Sequence, residues 1–117
     1  RQLVSLIFNN ELVVCLWHIL NNLNQFVSDC TSYGIEFLGI SNHYITLANV
    51  ESFTSTLEEC FALCLNRTTY TCVSFEFMAL LPKCNLQNVT ALDVPTDDWN
   101  EDAYREFNIT YYQRDCL

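Results

Sequence analysis

The chain is poor in basic residues. Its 117 residues include five Lys and Arg against fourteen Asp and Glu, which gives a formal net charge of −9. Proteins that bind duplex nucleic acid, heparin or an anionic membrane surface need clustered Lys and Arg. Five basic residues are too few for such a cluster, so the sequence argues against all three classes, and we expect no nucleic-acid partner.

Candidate general bases are equally scarce, because His18 and His43 are the only histidines. A catalytic cysteine needs a base beside it. His18 lies in an apolar N-terminal segment, and His43 lies in a polar turn where we expect it to be solvated. We therefore predict no catalytic residues, no enzymatic activity and no cofactor.

No apolar run is long enough to span a bilayer. Residues 1–26 contain two shorter runs, Leu3–Phe8 and Leu12–Leu20, behind a basic first residue. This outline is typical of a secretory signal, and removing it would take Cys15 away and leave six cysteines, an even number. The polar break between the runs and the lack of an A-x-A site leave an N-terminal helix as the alternative. We expect contact with a membrane only through this segment, if it is retained.

The most informative stretch is Ser55–Phe77, which predicts a helix followed by a strand. Ser55 and Glu58 fit the S-x-x-E capping box at a helix start. An apolar stripe follows at helical spacing, and it consists of Leu57, Cys60, Phe61, Cys64 and Leu65. Asn66 is predicted to end the helix in a left-handed conformation. Thr71–Phe77 is then an alternating run rich in β-branched and aromatic residues, which predicts a strand.

Other short apolar runs predict further strands without a regular βα alternation. These runs are Ile35–Ile40, Tyr44–Val50, Cys84–Val89 and Tyr104–Gln113, with a turn at 41–43 and an exposed loop over 91–102. Strands that flank one helix indicate an α+β domain with an antiparallel sheet.

The order of the cysteines identifies a family. Cys30, Cys60-x3-Cys64-x7-Cys72-x11-Cys84 and Cys116, with CFALC on the helix and CVSFEF on the strand, resemble the PAN/apple domain family. The resemblance covers residues 30–116 within a domain at 27–117. It implies a curled antiparallel sheet of about five strands packed on one helix. It also implies three disulfides, joining Cys30 to Cys116, Cys60 to Cys84, and Cys64 to Cys72, among the fifteen pairings that six cysteines allow.

A zinc site is the competing interpretation of the four central cysteines, Cys60, Cys64, Cys72 and Cys84. The usual pair of cysteines separated by two residues is missing, which argues against zinc. One question about the strand stays open. Cys72, Ser74 and Glu76 alternate with Val73, Phe75 and Phe77, and the sequence does not decide which set faces the helix.

Three N-x-[ST] sequons predict N-glycosylation at Asn66, Asn88 and Asn108. Each asparagine falls at a predicted helix end, strand end or outward strand position. The acidic residues of 93–102 lack the ligand spacing and central glycine of a calcium loop, so we interpret them as a solvated loop. Trp99 and Tyr104 are either exposed recognition residues or a cover over the sheet, and we expect the second.

The resemblance implies a secreted, extracellular module that binds a protein or a carbohydrate without catalysis. The alternative is a structural component of an extracellular matrix or cuticle. The family's binding surfaces vary, so no ligand-binding residues are carried over to this chain.

Overall fold

The computed structural model describes residues 30–117, so the predictions made for the N-terminal segment, including Cys15 and His18, lie outside the described residues. The described part is an α+β domain, which confirms the predicted fold class. In chain order its elements are β1 (Tyr33–Ser41), β2 (His43–Ile45), β3 (Asn49–Thr54), α1 (Leu57–Leu65), β4 (Ser74–Met78), β5 (Lys83–Gln87), a 3-10 turn (Thr96–Asp98), β6 (Trp99–Glu101) and β7 (Ile109–Cys116).

Five strands form one antiparallel sheet in the order β1-β7-β4-β5-β3, and β2 pairs with β6 in a separate ribbon. The predicted strand Tyr44–Val50 is therefore wrong as a single element, because its two halves belong to different sheets. The chain changes direction between them at Leu47, whose φ of 58° is left-handed. The predicted loop at 91–102 also contains β6. The closing strand begins at residue 109, after left-handed backbone at Arg105 and Asn108.

The helix begins one residue later than the capping box predicted from Ser55 and Glu58. Thr56 is the N-cap: its hydroxyl accepts from the Glu59 N–H at 3.2 Å, and the Glu59 carboxylate accepts from the Thr56 N–H at 2.8 Å. The predicted left-handed stop at Asn66 is also wrong. Asn66 has φ −96° and donates its N–H to the Ala62 carbonyl at 3.0 Å, so the last turn closes without a left-handed residue.

An aromatic and disulfide-rich core lies between α1 and the sheet. The ring of Phe75 lies 5.1 Å from that of Phe61 and 4.9 Å from that of Tyr112. Phe75 and Phe77 thus face the helix, which answers the question left open by the sequence. Cys72 also belongs to this cluster. It lies two residues before β4 begins, so the alternation within the strand does not fix its direction.

The opposite face of the sheet carries a second core, which is covered by β2, β6 and the chain between β5 and β6. Its buried apolar residues are Ile40, Ile45, Ala91, Leu92, Trp99 and Tyr111. Ser74, Glu76 and Gln87 are buried on the strands beside this layer. The sheet therefore separates a covalently linked layer from a layer held by polar contacts and packing.

Candidate binding groove

Three disulfides fix the helix and both ends of the domain. They join Cys30 to Cys116, Cys60 to Cys84, and Cys64 to Cys72, with Cα–Cα distances of 5.8, 5.6 and 5.2 Å. These are the pairs that the family resemblance implies. The four central sulfurs are taken up in S–S bonds, so they do not form the alternative zinc site.

A groove lies on the flank of the helix. The helix packs over β4 and β5, whereas β3 is the outermost strand on that side of the sheet. The space between α1 and β3 has a volume of about 440 Å³ and opens to solvent. It is lined by Phe53, Thr54, Ser55, Glu59, Ala62, Leu63, Asn66 and Arg67.

The groove has an apolar floor and a rim of fixed polar groups. Phe53 and Leu63 are half-buried against the disulfide-rich core, which holds the floor in place. On the rim, hydrogen bonds from the main-chain and side-chain groups of Thr56 lower the pKa of the Glu59 carboxyl. Because the same bonds form the helix cap, Glu59 is ionised and oriented before any ligand arrives.

Arg67 closes one end of the groove and is held from two sides. Its Nε and Nη2 donate to the two carboxylate oxygens of Glu51 at 2.6 and 3.1 Å, and its guanidinium carbon lies 5.2 Å from the centre of the Phe53 ring. Tyr70 also donates to Glu51, at 2.7 Å. The Tyr70 hydrogen bond, followed by that of Arg67, lowers the pKa of Glu51, so this ion pair persists through neutral pH.

This arrangement is suited to recognition. Apolar surface with a few convergent, prearranged polar groups binds an apolar group and orients it. Among the described residues that line the groove there is no histidine and no cysteine.

Comparison with protein families gives one result that covers most of the chain. The PAN domain model matches residues 30–116. The chain belongs to the PAN domain family. A comparison with curated proteins found no match. PAN domains are generally non-catalytic modules that bind proteins or carbohydrates, and those with several disulfides typically occur in extracellular proteins.

The three predicted glycosylation sites of this PAN domain are exposed. Asn66 follows α1 and lines the groove. Asn88 follows β5, and Asn108 precedes β7 with a φ of 52°. Exposure makes each side chain accessible, and glycosylation at these positions stays a prediction.

Two expectations for single residues are wrong and one is confirmed. His43 is only 9% exposed, whereas we expected it to be solvated: its Nδ1 lies 2.8 Å from the Ser41 carbonyl oxygen, and its ring stacks on Trp99 at 5.1 Å. Trp99 covers the sheet as expected, since its ring lies 4.8 Å from that of Tyr111. Tyr104 does not, because it is 91% exposed. Trp99 is therefore buried and Tyr104 is exposed, although the two residues are only five positions apart.

Asp93, the first acidic residue of 93–102, has a local structural role. Asp93 accepts from the N–H and the hydroxyl of Thr90 at 2.9 and 3.0 Å, which closes the turn after β5. Within residues 30–117, no three His, Cys, Asp or Glu side chains are grouped closely enough to hold a metal ion. No helix in that part of the chain is long and apolar enough to cross a membrane.

Sequence reasoning missed two polar features. The first is Glu51–Arg67–Tyr70, in which Glu51 on β3 meets two residues of the loop after α1, sixteen and nineteen positions later, so it leaves no local spacing signal. The second is Glu76, which is 3% exposed on β4. Its Oε2 accepts from the Ile45 N–H at 2.7 Å and from Gln87 Nε2 at 2.5 Å. Burial raises the pKa of Glu76 to about 7, against the opposing effect of these hydrogen bonds. A lone acidic residue within the apolar run VSFEF was the available signal.

Proposed function

We propose that this PAN domain is a secreted, non-catalytic recognition module that binds an extracellular protein or glycan in the groove between α1 and β3. The observation that carries the proposal is the groove itself. Its volume of about 440 Å³ falls within the range of ligand pockets, roughly 300–1,000 Å³. Its walls are held by the Cys60–Cys84 disulfide and the Glu51–Arg67 ion pair, so little ordering is needed on binding.

Secretion is supported by the covalent framework. Three disulfides form and persist in oxidising compartments, and all three bridges are present within residues 30–117. We propose that residues 1–26 are a secretory signal and that Asn66, Asn88 and Asn108 are glycan acceptors. Mass spectrometry of the secreted protein, before and after enzymatic deglycosylation, tests both proposals through the mature N-terminus and the glycopeptide masses.

The binding proposal is tested with a filled groove. Ala62 is an exposed helix residue that lines the groove, so Ala62→Trp fills it without replacing a buried side chain. Leu65→Trp adds the same side chain to the same helix outside the groove. Wild-type protein and both variants are applied to a glycan array and to a displayed library of extracellular proteins.

We expect at least one saturable ligand whose binding Ala62→Trp weakens about tenfold or more, a loss of about 1.4 kcal/mol or more, while Leu65→Trp changes it by less than about twofold. Ligands that bind the Ala62→Trp protein as tightly as wild type would place recognition elsewhere on the domain. If neither the glycan array nor the displayed protein library yields a ligand, the recognition function is overturned.

A second candidate, a structural role in an extracellular matrix or cuticle, has one supporting observation. Leu80, Leu81 and Phe107 are exposed by 68%, 50% and 42%, and their loops are joined by a hydrogen bond from the Leu80 N–H to the Phe107 carbonyl at 3.4 Å. An exposed apolar patch is a common association surface. Sedimentation velocity over a range of concentrations tests it: assembly that Leu80→Asp abolishes supports this role, and a monomer at every concentration refutes it.

A further inference from the structure

We propose that the partner segment is an extended peptide, which pairs with the free edge of β3, places one apolar side chain in the groove and carries basic residues beside it. The inference rests on the recognition function proposed above, because it uses the same groove. It adds the chemical class of the partner and the way in which it binds.

The first argument is the unpaired edge of β3. Among the strands of residues 30–117, β3 is the last in the sheet, and its one partner there is β5. On an edge strand, alternate residues direct their N–H and C=O groups away from the neighbouring strand. Within the described chain, no loop or side chain hydrogen-bonds to the main-chain atoms of 49–54. The register shift lies between Asn49 and Glu51, so Glu51–Thr54 is regular and available for pairing.

The opposite edge of the sheet, β1, is different because side chains from β7 satisfy its main-chain groups. Asp115 accepts from the Glu36 N–H at 3.1 Å. Arg114 donates to the Gly34 carbonyl at 2.7 Å and to the Tyr33 carbonyl at 3.3 Å. A shift of register also interrupts the β1–β7 pairing between Tyr33 and Phe37. An irregular strand of this kind is a poorer template for a further strand, whereas Glu51–Thr54 of β3 is regular.

The second argument is the position of the groove beside this edge. Phe53 and Thr54 belong to the regular part of β3 and also line the groove. Phe53 lies on the helix side of the sheet, in contact with the disulfide-rich core. In an added strand, every second side chain points to that same side. A peptide paired with β3 therefore directs one of its side chains into the apolar space between Phe53 and Leu63.

The third argument is the local charge. Between residues 49 and 67 the acidic residues are Glu51, Glu58 and Glu59, and the only basic residue is Arg67. Arg67 is paired with Glu51, which leaves Glu58 and Glu59 without a basic neighbour on the helix. A peptide with Lys or Arg beside its apolar residue complements this charge. A second copy of the chain carries the same net charge of −9 and is repelled. A glycan has no peptide backbone with which to continue the β3 ladder.

The test uses the full chain and a displayed library of random linear peptides of twelve residues. We expect selected peptides to alternate apolar or β-branched residues with polar ones and to be enriched in Lys and Arg. Ala62→Trp is expected to weaken their binding about tenfold, and Leu65→Trp is the matched control. Synthetic peptides are then N-methylated at one amide at a time. Methylation at alternate amides is expected to weaken binding about tenfold, because each methyl group removes a hydrogen bond to β3 and adds a clash. N-methylation of the intervening amides is expected to leave the binding affinity unchanged.

A measurement on the wild-type protein does not depend on any variant. Saturating peptide is expected to slow hydrogen exchange at alternate amides within Glu51–Thr54, while the amides of β1 stay unchanged. Peptides that tolerate N-methylation at every position, or that leave exchange in β3 unchanged, would overturn strand pairing. Glycan ligands together with a blank peptide library would overturn the peptide inference and leave the recognition function standing. Blank results for peptides, glycans and displayed proteins would overturn both.

Discussion

Replacing Glu76 by Gln should remove a pH dependence from the stability of the domain. The carboxyl is 3% exposed, and burial raises its pKa from 4.5 to about 7. The folded protein therefore holds this proton more tightly than the unfolded chain does. Each pKa unit corresponds to roughly 1.4 kcal/mol. The rise of this pKa from 4.5 to about 7 implies that the free energy of unfolding falls by about 3 kcal/mol as the pH rises from below 4.5 to above 7.

The sign follows from proton binding. Between pH 4.5 and 7 the folded state keeps a proton on Glu76 that the unfolded state has lost, so raising the pH favours unfolding. Glu51 and Glu59 act in the opposite sense, because their pKa values are lowered in the folded protein. Their contribution is present above the ordinary pKa of 4.5 and is lost as the pH falls through their folded values. Both groups remain in Glu76→Gln, so they cancel when the variant is compared with wild type.

Glutamine preserves the shape of the site and never ionises. Its amide oxygen is placed to accept from the Ile45 N–H and from Gln87 Nε2, as the carboxylate does. At pH 8.5 the variant should be more stable than wild type by up to about 3 kcal/mol. At pH 4, where Glu76 is protonated in wild type, the two proteins should be similar in stability.

Urea unfolding at a series of pH values from 4 to 8.5, with the disulfides intact, measures the difference directly. Glu58→Gln is the matched control, because it makes the same exchange of a carboxylate for an amide at an exposed position on α1. If the wild-type and Glu76→Gln profiles run parallel above pH 5, the buried carboxyl does not control stability and the reasoning fails.

Three further substitutions test the local structure by chemical denaturation at constant pH. Thr56→Ala should cost about 1 kcal/mol through loss of the helix cap, and Ser55→Ala should cost less; the reverse order would contradict the assignment of the N-cap. Phe75→Ala should cost about 3–5 kcal/mol because it empties the core under the helix, against less than about 0.5 kcal/mol for the exposed Phe107→Ala. Leu47→Gly should stabilise the domain by about 1 kcal/mol, because Leu47 is 99% exposed with φ 58° and glycine adopts this backbone without strain; a loss of stability would show that the Leu47 side chain makes a contact that matters.

The sequence was most informative where spacing and side-chain chemistry agree. Cys60 and Cys64 are one helical turn apart, and this spacing predicted the helix from which one disulfide reaches β5 at Cys84 and the other reaches Cys72, just before β4. The family resemblance then supplied the pairing among the fifteen possible connectivities. Local residue patterns therefore predicted the helix and the central strands, and the family resemblance implied the pairing of the cysteines.

Features that depend on distant contacts were not predictable in the same way. The apolar run Tyr44–Val50 reads as one strand, but Thr46 donates its N–H to the Asp98 carbonyl at 2.8 Å, and this contact with a remote segment helps to turn the chain at Leu47. His43 is buried because Trp99, far along the chain, stacks on it. Neither partner can be identified from the residues that flank these positions.

The candidate groove was predictable only in part. The helix that forms one wall followed from the spacing of apolar residues, and Asn66 was predicted to be a glycan acceptor. The wall formed by β3 was not predictable, because its position at the edge depends on the order of all five strands in the sheet. The Glu51–Arg67 contact likewise joins positions that are sixteen residues apart.

The closeness of Cys30 and Cys116 has a mechanical consequence. Their Cα atoms are 5.8 Å apart and covalently joined, so a pull applied at the two ends of the domain passes through one S–S bridge. The hydrogen-bonded strands between them carry almost none of that load. Under tension applied at these two ends the domain would keep its shape, and it would begin to yield only after a reductant had opened that bridge.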